Sequence, residues 1–235
     1  MQRTSALKLI ISAFVLLLLL SDSFASSGRS PEPVQKSLSG IPKAKDIVIE
    51  PPQVRLPERT SLIYQIRWMG IPVGSLVNSV IGIEEYKGRL CYILESTMKT
   101  NFFFSRIFKV DDHFRSYLDV EKKHSLRHEA NVREGRYRKH AVIDFDQQQH
   151  KAYFRNLLDN SEKVFDILPD VHDVVSVYCY LMLLPLHSIG DRIEINGTND
   201  EESCTLEGQV LSQEFIRVPV FGRHRQKAFV LRINL

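Results

Sequence analysis

Apolar and polar residues alternate from residue 61 onward. Leu62, Tyr64, Ile66 and Trp68 alternate with Ser61, Gln65 and Arg67, the mark of a strand with one buried face. "GIPVG" (70–74) predicts a turn or bulge, since glycines punctuate regular structure. Val77, Ile81 and Ile83 share the next face, and "EYKG" turns the chain at Gly88. Leu90, Tyr92, Leu94 and Met98 make the following inward set, and "NFFFSRIF" (101–108) reads as a compact aromatic connection. Val110 and Phe114 resume the alternation. Leu126, His128, Ala130 and Val132 then face one way, and Tyr137, Ala141, Ile143 and Phe145 answer them across a turn. With Glu134-Gly135 as a two-residue loop, Val132 opposes Tyr137, His128 opposes Ala141 and Leu126 opposes Ile143, so apolar meets apolar. Shorter strands follow near 150–156 and 162–167, and again at 191–197, 204–218 and 226–234, about ten or eleven strands in all.

The period changes in "DVHDVVSVYCYLMLLPL" (170–186). Asp170 after Pro169 predicts a helix start, with Asp170 as N-cap and Asp173 favouring the positive helix terminus. Ser176 can bond back to a carbonyl one turn earlier. From Val174 to Leu184 the segment is apolar on every side, and Pro185 ends it. A helix apolar all round is buried or spans a membrane. Eleven residues rise only about 16 Å, whereas spanning takes about 20 residues. The expected fold is therefore mainly β: a curved antiparallel sheet, half-barrel or barrel, with one principal buried apolar helix on its concave face.

The N-terminus adds a destination. Arg3 and Lys8 precede the apolar run 9–20, and small residues follow up to Ala25. That predicts a secretory signal peptide over 1–25, export, and no transmembrane span after cleavage. Residues 26–59 hold six prolines with scattered Ser, Gly and Lys and read as a disordered tether. The folded domain is then 60–235. The whole chain carries +3. Removing Arg3, Lys8 and Asp22 leaves +2, too mild a balance to imply nucleic acid. Cys91, Cys179 and Cys204 include no Cys-x-x-Cys, so redox catalysis and zinc lose their usual signature. The three read as buried small hydrophobes, with Cys91 and Cys204 the favoured pair if a disulfide forms.

Candidate chemistry is sparse. His172 and Ser176 stand four apart beside Asp170 and Asp173, a spacing at which helical side chains meet, so a Ser-His-Asp hydrolase is one reading. No glycine-flanked nucleophile turn surrounds Ser176, and the capping role accounts for more of these residues. His124 and His128 share a strand face, but they lack a carboxylate or thiol at a diagnostic spacing, so no metal or other cofactor is expected. "RYRKH" (136–140) and "RHRQK" (223–227) read as solvated basic faces, with contact to anionic lipid headgroups as the sharper alternative. Asn196-Gly197-Thr198 is a formal glycosylation sequon.

Several blocks together carry a resemblance: "LIYQIRWMGIPVGSL", "HDVVSVYCYL", "IGDRIEI" and "GQVLSQEFIRVPVFG". In order and spacing, over roughly residues 60–222, they resemble the exported bacterial domain of unknown function 3108 family. Its Gly-x-x-x-Gly turn falls on Gly70 and Gly74, and its Asp-x-x-Ser helix opening on Asp173 and Ser176. The resemblance implies an exported, mostly β domain, in the periplasm of a Gram-negative bacterium, and it brings no catalytic residues. Such chains usually continue with further strands after the turn that ends here at Gly222, so the expectation includes a final sheet short of its edge partner.

The expected function is a non-enzymatic cell-envelope protein holding an apolar ligand such as a lipid, with Tyr64, Trp68, Tyr92, Leu94, Tyr178, Leu181 and Met182 as ligand contacts. Gly70, Gly74, Asp170, Asp173 and Ser176 are its structural motif. The alternatives are a structural or protein-interaction module with a packed core, and a hydrolase using Ser176 and His172. An apolar cavity and an apolar core share one residue pattern, which leaves these readings open.

Overall fold

The computed structural model describes residues 55–184, 188–198, 202–217 and 225–234. The expected signal peptide, the tether up to residue 54, and Gly222 lie outside them. Eight strands form one antiparallel meander in chain order: β1 (Thr60–Trp68), β2 (Ile71–Tyr86), β3 (Arg89–Thr100), β4 (Asp111–Asp119), β5 (Ser125–Glu134), β6 (Tyr137–Asp146), β7 (Lys151–Asn156) and β8 (Glu162–Asp166). A 3-10 turn, Phe104–Arg106, lies in the β3–β4 connection. Helix α1 (Val174–Leu183) follows the meander. Then β9 (Arg192–Thr198), β10 (Ser203–Arg217) and β11 (Arg225–Asn234) make a second sheet in the order β11-β10-β9. The chain is mainly β, and its large sheet is curved but not closed.

Two hairpin turns follow simple chemistry. Met69-Gly70 and Lys87-Gly88 both take positive φ (49° and 79°, 49° and 77°), the backbone that two-residue hairpin loops favour because its twist matches the strands. Gly70 therefore makes a turn, but Gly74 does not. It lies inside β2, paired with Ile66 on one side and Thr100 on the other. A Cβ there would sit 2.4 Å from the Lys99 carbonyl oxygen, so Gly74 serves close approach rather than turning.

Three details differ from expectation. The β5–β6 loop is Gly135-Arg136, so Val132 opposes Lys139, Ala130 opposes Ala141 and His128 opposes Ile143. The shift is two residues, which keeps every side chain on its expected face. A bulge between Val80 and Gly82 puts Val80 and Ile83 opposite Leu94 and Tyr92, and leaves Ile81 exposed. A second bulge, between Tyr117 and Leu118, pairs Leu118 with Ser125. Leu126 consequently joins Cys91, Ile93, Tyr86 and Tyr117 in a cluster away from α1.

Helix α1 is covered on two sides. Val175, Cys179 and Leu183, spaced four apart, pack with Val80, Tyr92, Leu94 and Leu118 of the large sheet. Leu184, with Val177, Tyr180 and Leu181, packs against Ile193, Ile195, Leu206 and Leu231 of the small one. Apolar residues on all sides of the helix thus have two sheets to meet. The expected place for the helix is the concave face of the large sheet alone, but Leu181 and Leu184 belong to the second contact. Leu56, within the stretch read as tether, is buried in the first contact.

Candidate functional site

The start of α1 is a buried polar cluster. The helix begins at Val174, and its N-cap is Asp173, whose carboxylate Oδ1 accepts the backbone N–H groups of Val175 (2.9 Å) and Ser176 (3.1 Å). Asp170, expected to cap, does not. It stands at φ 50° in the preceding turn, and its exposed carboxylate lies 2.8 Å from His124 Nδ1. The displacement has a non-local cause. His172 is drawn into extended pairing with the small sheet: its N–H donates to the Asn196 carbonyl, and its carbonyl accepts from Thr198 N–H.

The second oxygen of Asp173 is held from the large sheet. Ser116 on β4 donates to Oδ2 at 2.5 Å and Ser125 on β5 at 2.7 Å. His128 Nδ1 lies 3.3 Å from Oδ1, outside hydrogen-bond alignment. Burial works against the carboxylate's charge, but His128 and the two serines outweigh it, and the Asp173 carboxyl is held below its ordinary value. His172 is pushed down to about 4, chiefly by burial and also by His124, with Asp173 and Asp170 opposing. At neutral pH the cluster pairs an ionised aspartate with a neutral His172.

Hydrogen accounting fixes the direction of the Ser-His contact. Ser125 spends its one hydroxyl proton on Asp173. Ser176 Oγ lies 2.6 Å from Ser125 Oγ and 3.1 Å from the Asp173 carbonyl oxygen, so its proton goes to one of those. His172 Nδ1, 3.3 Å from Ser176 Oγ, must then be the donor. A nucleophilic serine needs the opposite polarity, its proton aimed at the imidazole. Ser116, Ser125 and Ser176 are fully buried. Gln147 ties the cluster to the chain beside it, donating to the carbonyls of Ser125 and Val171.

The seven residues expected to contact ligand are dispersed among the described residues. Tyr92 and Leu94 lie beneath α1 with no exposed surface. Tyr64 and Tyr178 meet through their hydroxyls, with rings edge to face at 6.2 Å. Leu181 packs toward the small sheet, while Trp68 and Met182 are exposed. Beside this group, Asn78 Oδ1, Ser96 Oγ and the Tyr92 hydroxyl are buried without a hydrogen-bond partner, and Asn78 is paired directly with Ser96 across β2 and β3. Two shallow cavities, of about 220 and 230 Å³, lie elsewhere among charged side chains, one bordered by Lys87, Arg89 and Asp144, the other by Glu95, Arg115 and Glu129. All three cysteines are free, and Cys204 is exposed rather than buried.

Ser116 and Ser125 were not singled out by sequence. Ser116 falls on the inward face of β4 next to Leu118, and a polar residue in an inward set is the one local signal it offers. Ser125 faces inward because of the bulge beside Leu118, which nothing near it in sequence marks. Among the described residues no helix is long and apolar enough to cross a membrane. A family model described as protein of unknown function (DUF3108) matches residues 63–234. No curated protein and no solved structure matches the chain.

Proposed function

The chain belongs to the DUF3108 family of proteins of unknown function, and on that footing we propose that it is a non-enzymatic, exported cell-envelope protein that acts as an interaction module. One observation carries this reading. At one end of the large sheet, Trp68, Met69, Phe102, Phe103 and Ile107 are exposed together on neighbouring turns, whereas Val80, Tyr92, Leu94 and Leu118 are packed under α1. Contiguous exposed apolar surface marks interaction sites. The polarity of the Ser176–His172 contact and the burial of Ser176 support the non-enzymatic part, and the charged start with its short apolar run supports export. The experiment is site-specific photo-cross-linking in the producing cell, from position 102 and, as control, from Gln148 at the opposite end. A defined adduct, lipid or protein, is expected from 102 alone. No adduct from 102, or equal adducts from both, would overturn the reading. N-terminal sequencing of the envelope fraction checks export, with cleavage expected near Ala25.

A second reading, an apolar ligand held against the concave face, is favoured by Asn78 Oδ1, Ser96 Oγ and the Tyr92 hydroxyl. Each unmatched buried group costs about 1–3 kcal/mol, and a ligand's polar end would relieve that. Native mass spectrometry of the protein as purified decides it. A bound small molecule lost on Asn78→Leu substitution supports the ligand; a bare polypeptide mass in the unaltered protein sinks it.

A further inference from the structure

In an antiparallel meander successive turns alternate between the two ends of the sheet. The β1–β2, β3–β4 and β5–β6 connections therefore share one end, and the β2–β3, β4–β5 and β6–β7 connections share the other. The two ends differ in kind. At the first, Trp68, Met69 and Ile71 surround one turn, and Phe102, Phe103, Ile107 and Phe108 occupy the next; these seven are between 54% and 83% exposed. At the second, none of the described residues in 87–88, 120–124 and 147–150 is an exposed large apolar side chain.

The first three connections form a continuous rim. Asn101 donates to the carbonyls of Val73 and Pro72, at 2.9 and 2.7 Å, tying the second connection to the first hairpin. Gly135 N–H donates to the Lys109 carbonyl at 2.7 Å, tying it to the third, and the Phe108 ring lies against Gly135. The fourth turn at this end, 157–161, adds exposed Leu157 and Leu158 beside Asp159.

Charge selects the occupant. Arg67, Arg106, Lys109, Arg133, Arg136 and Arg138 are all exposed around the rim. Of the carboxylates at this end, Asp111 pairs with Lys99 at 3.2 Å, Asp112 is buried, and Glu134 is half-buried with burial and Asp112 pushing it up to about 7, while Asp159 in the fourth turn is exposed and is outnumbered by the six cations. Arg106 lies over the Phe102 ring at 4.7 Å. Exposed aromatic side chains on neighbouring turns, ringed by exposed arginines and a lysine, match a bilayer interface: rings at headgroup depth and cations on phosphate. Neither feature alone binds stably, but apolar insertion and a basic patch act as two signals. We propose that this rim docks on the surface of an anionic lipid bilayer. The proposal rests on the reading of this end as the interaction surface and names its partner.

Trp68 is the single tryptophan of the chain and reports the event directly. The processed protein is mixed with vesicles of phosphatidylcholine alone and of phosphatidylcholine with phosphatidylglycerol. With the anionic vesicles, Trp68 emission is expected to shift to the blue and the protein to float with lipid, with affinity at least about tenfold above that for neutral vesicles. Raised salt should weaken binding. Arg106→Glu with Lys109→Glu should lower affinity at least about tenfold. Phe102→Ser with Phe103→Ser should abolish the blue shift. Lys122→Glu at the opposite end should change neither, and unchanged far-ultraviolet circular dichroism shows that each variant folds. Equal binding to both vesicle types, or indifference to the rim substitutions, would overturn the proposal. If vesicles fail while position 102 cross-links a protein in the cell, the lipid partner is wrong and the interaction surface stands. If neither occurs, both readings fall.

Discussion

Ser125 on β5 and Ser176 in the first turn of α1 bring their hydroxyl oxygens to within 2.6 Å inside the core. That contact joins the large sheet to the helix through side chains whose polar atoms must be matched or bear the full cost of burial. The cluster is closed around one carboxylate.

Asp173→Ala should therefore be severe. Loss of an N-cap costs about 1 kcal/mol, and stranding the Ser116 and Ser125 hydroxyls adds about 1–3 kcal/mol for each group left unmatched. A total of at least about 3 kcal/mol is expected in urea unfolding. Asp170→Ala, at an exposed position with one histidine contact, should cost under about 1 kcal/mol. Equal losses would contradict the assignment of the cap.

His172 gives the protein an acid-side weakness. Its folded value is pushed down to about 4 from 6.5, so the unfolded chain takes up a proton first as pH falls. Stability is then expected to drop between about pH 6.5 and 4, the window set by those two values. Asp173, held below its ordinary value, adds a further loss at still lower pH. His172→Leu should flatten the upper part of that profile, whatever it does to the absolute level. Urea midpoints measured across the range, with the same slope in both proteins, would show that His172 does not set it.

Gly70 and Gly74 should separate on substitution. Gly74→Ala drives a Cβ to 2.4 Å from backbone and should cost at least about 2 kcal/mol. Gly70→Ala meets open space and bears only the strain of φ 79°, about 1 kcal/mol. Thermal unfolding should rank them in that order. The reverse order would mean that β2 and β3 are less closely apposed at Gly74.

Thiol labelling checks the core. Cys204 is exposed, while Cys91 and Cys179 are buried, their thiols pushed up to about 11 and about 12, chiefly by burial. Native protein should take up one equivalent of a maleimide and unfolded protein three. Failure of unfolded, unreduced protein to reach three would reveal a disulfide.

How much of this was legible from the residues depended on how local each cause is. The strands were, because alternation is written into adjacent positions, and the helix was, because its apolar residues cover every side. The β5–β6 register missed by two because Glu134-Gly135 and Gly135-Arg136 are both plausible loops, and an even shift leaves the faces intact. The bulges were hidden: whether Leu126 or Ser125 faces inward is decided by its pairing with β4. The cap was half legible. Both aspartates suit the role, and what separates them is the pairing of His172 with residues 196 and 198 of β9. That the last three strands form their own sheet is likewise a matter of partners, which alternation does not name.

Eight is an even number of strands, and that parity has a consequence for traffic. Polypeptide enters the meander at Thr60 and leaves it at Asp166 on the same side of the sheet, the side remote from Trp68 and Phe102. Both ends of the meander are thus joined from behind. Within the meander itself the aromatic turns stand clear of both points of entry, like the bristles of a brush gripped from its handle.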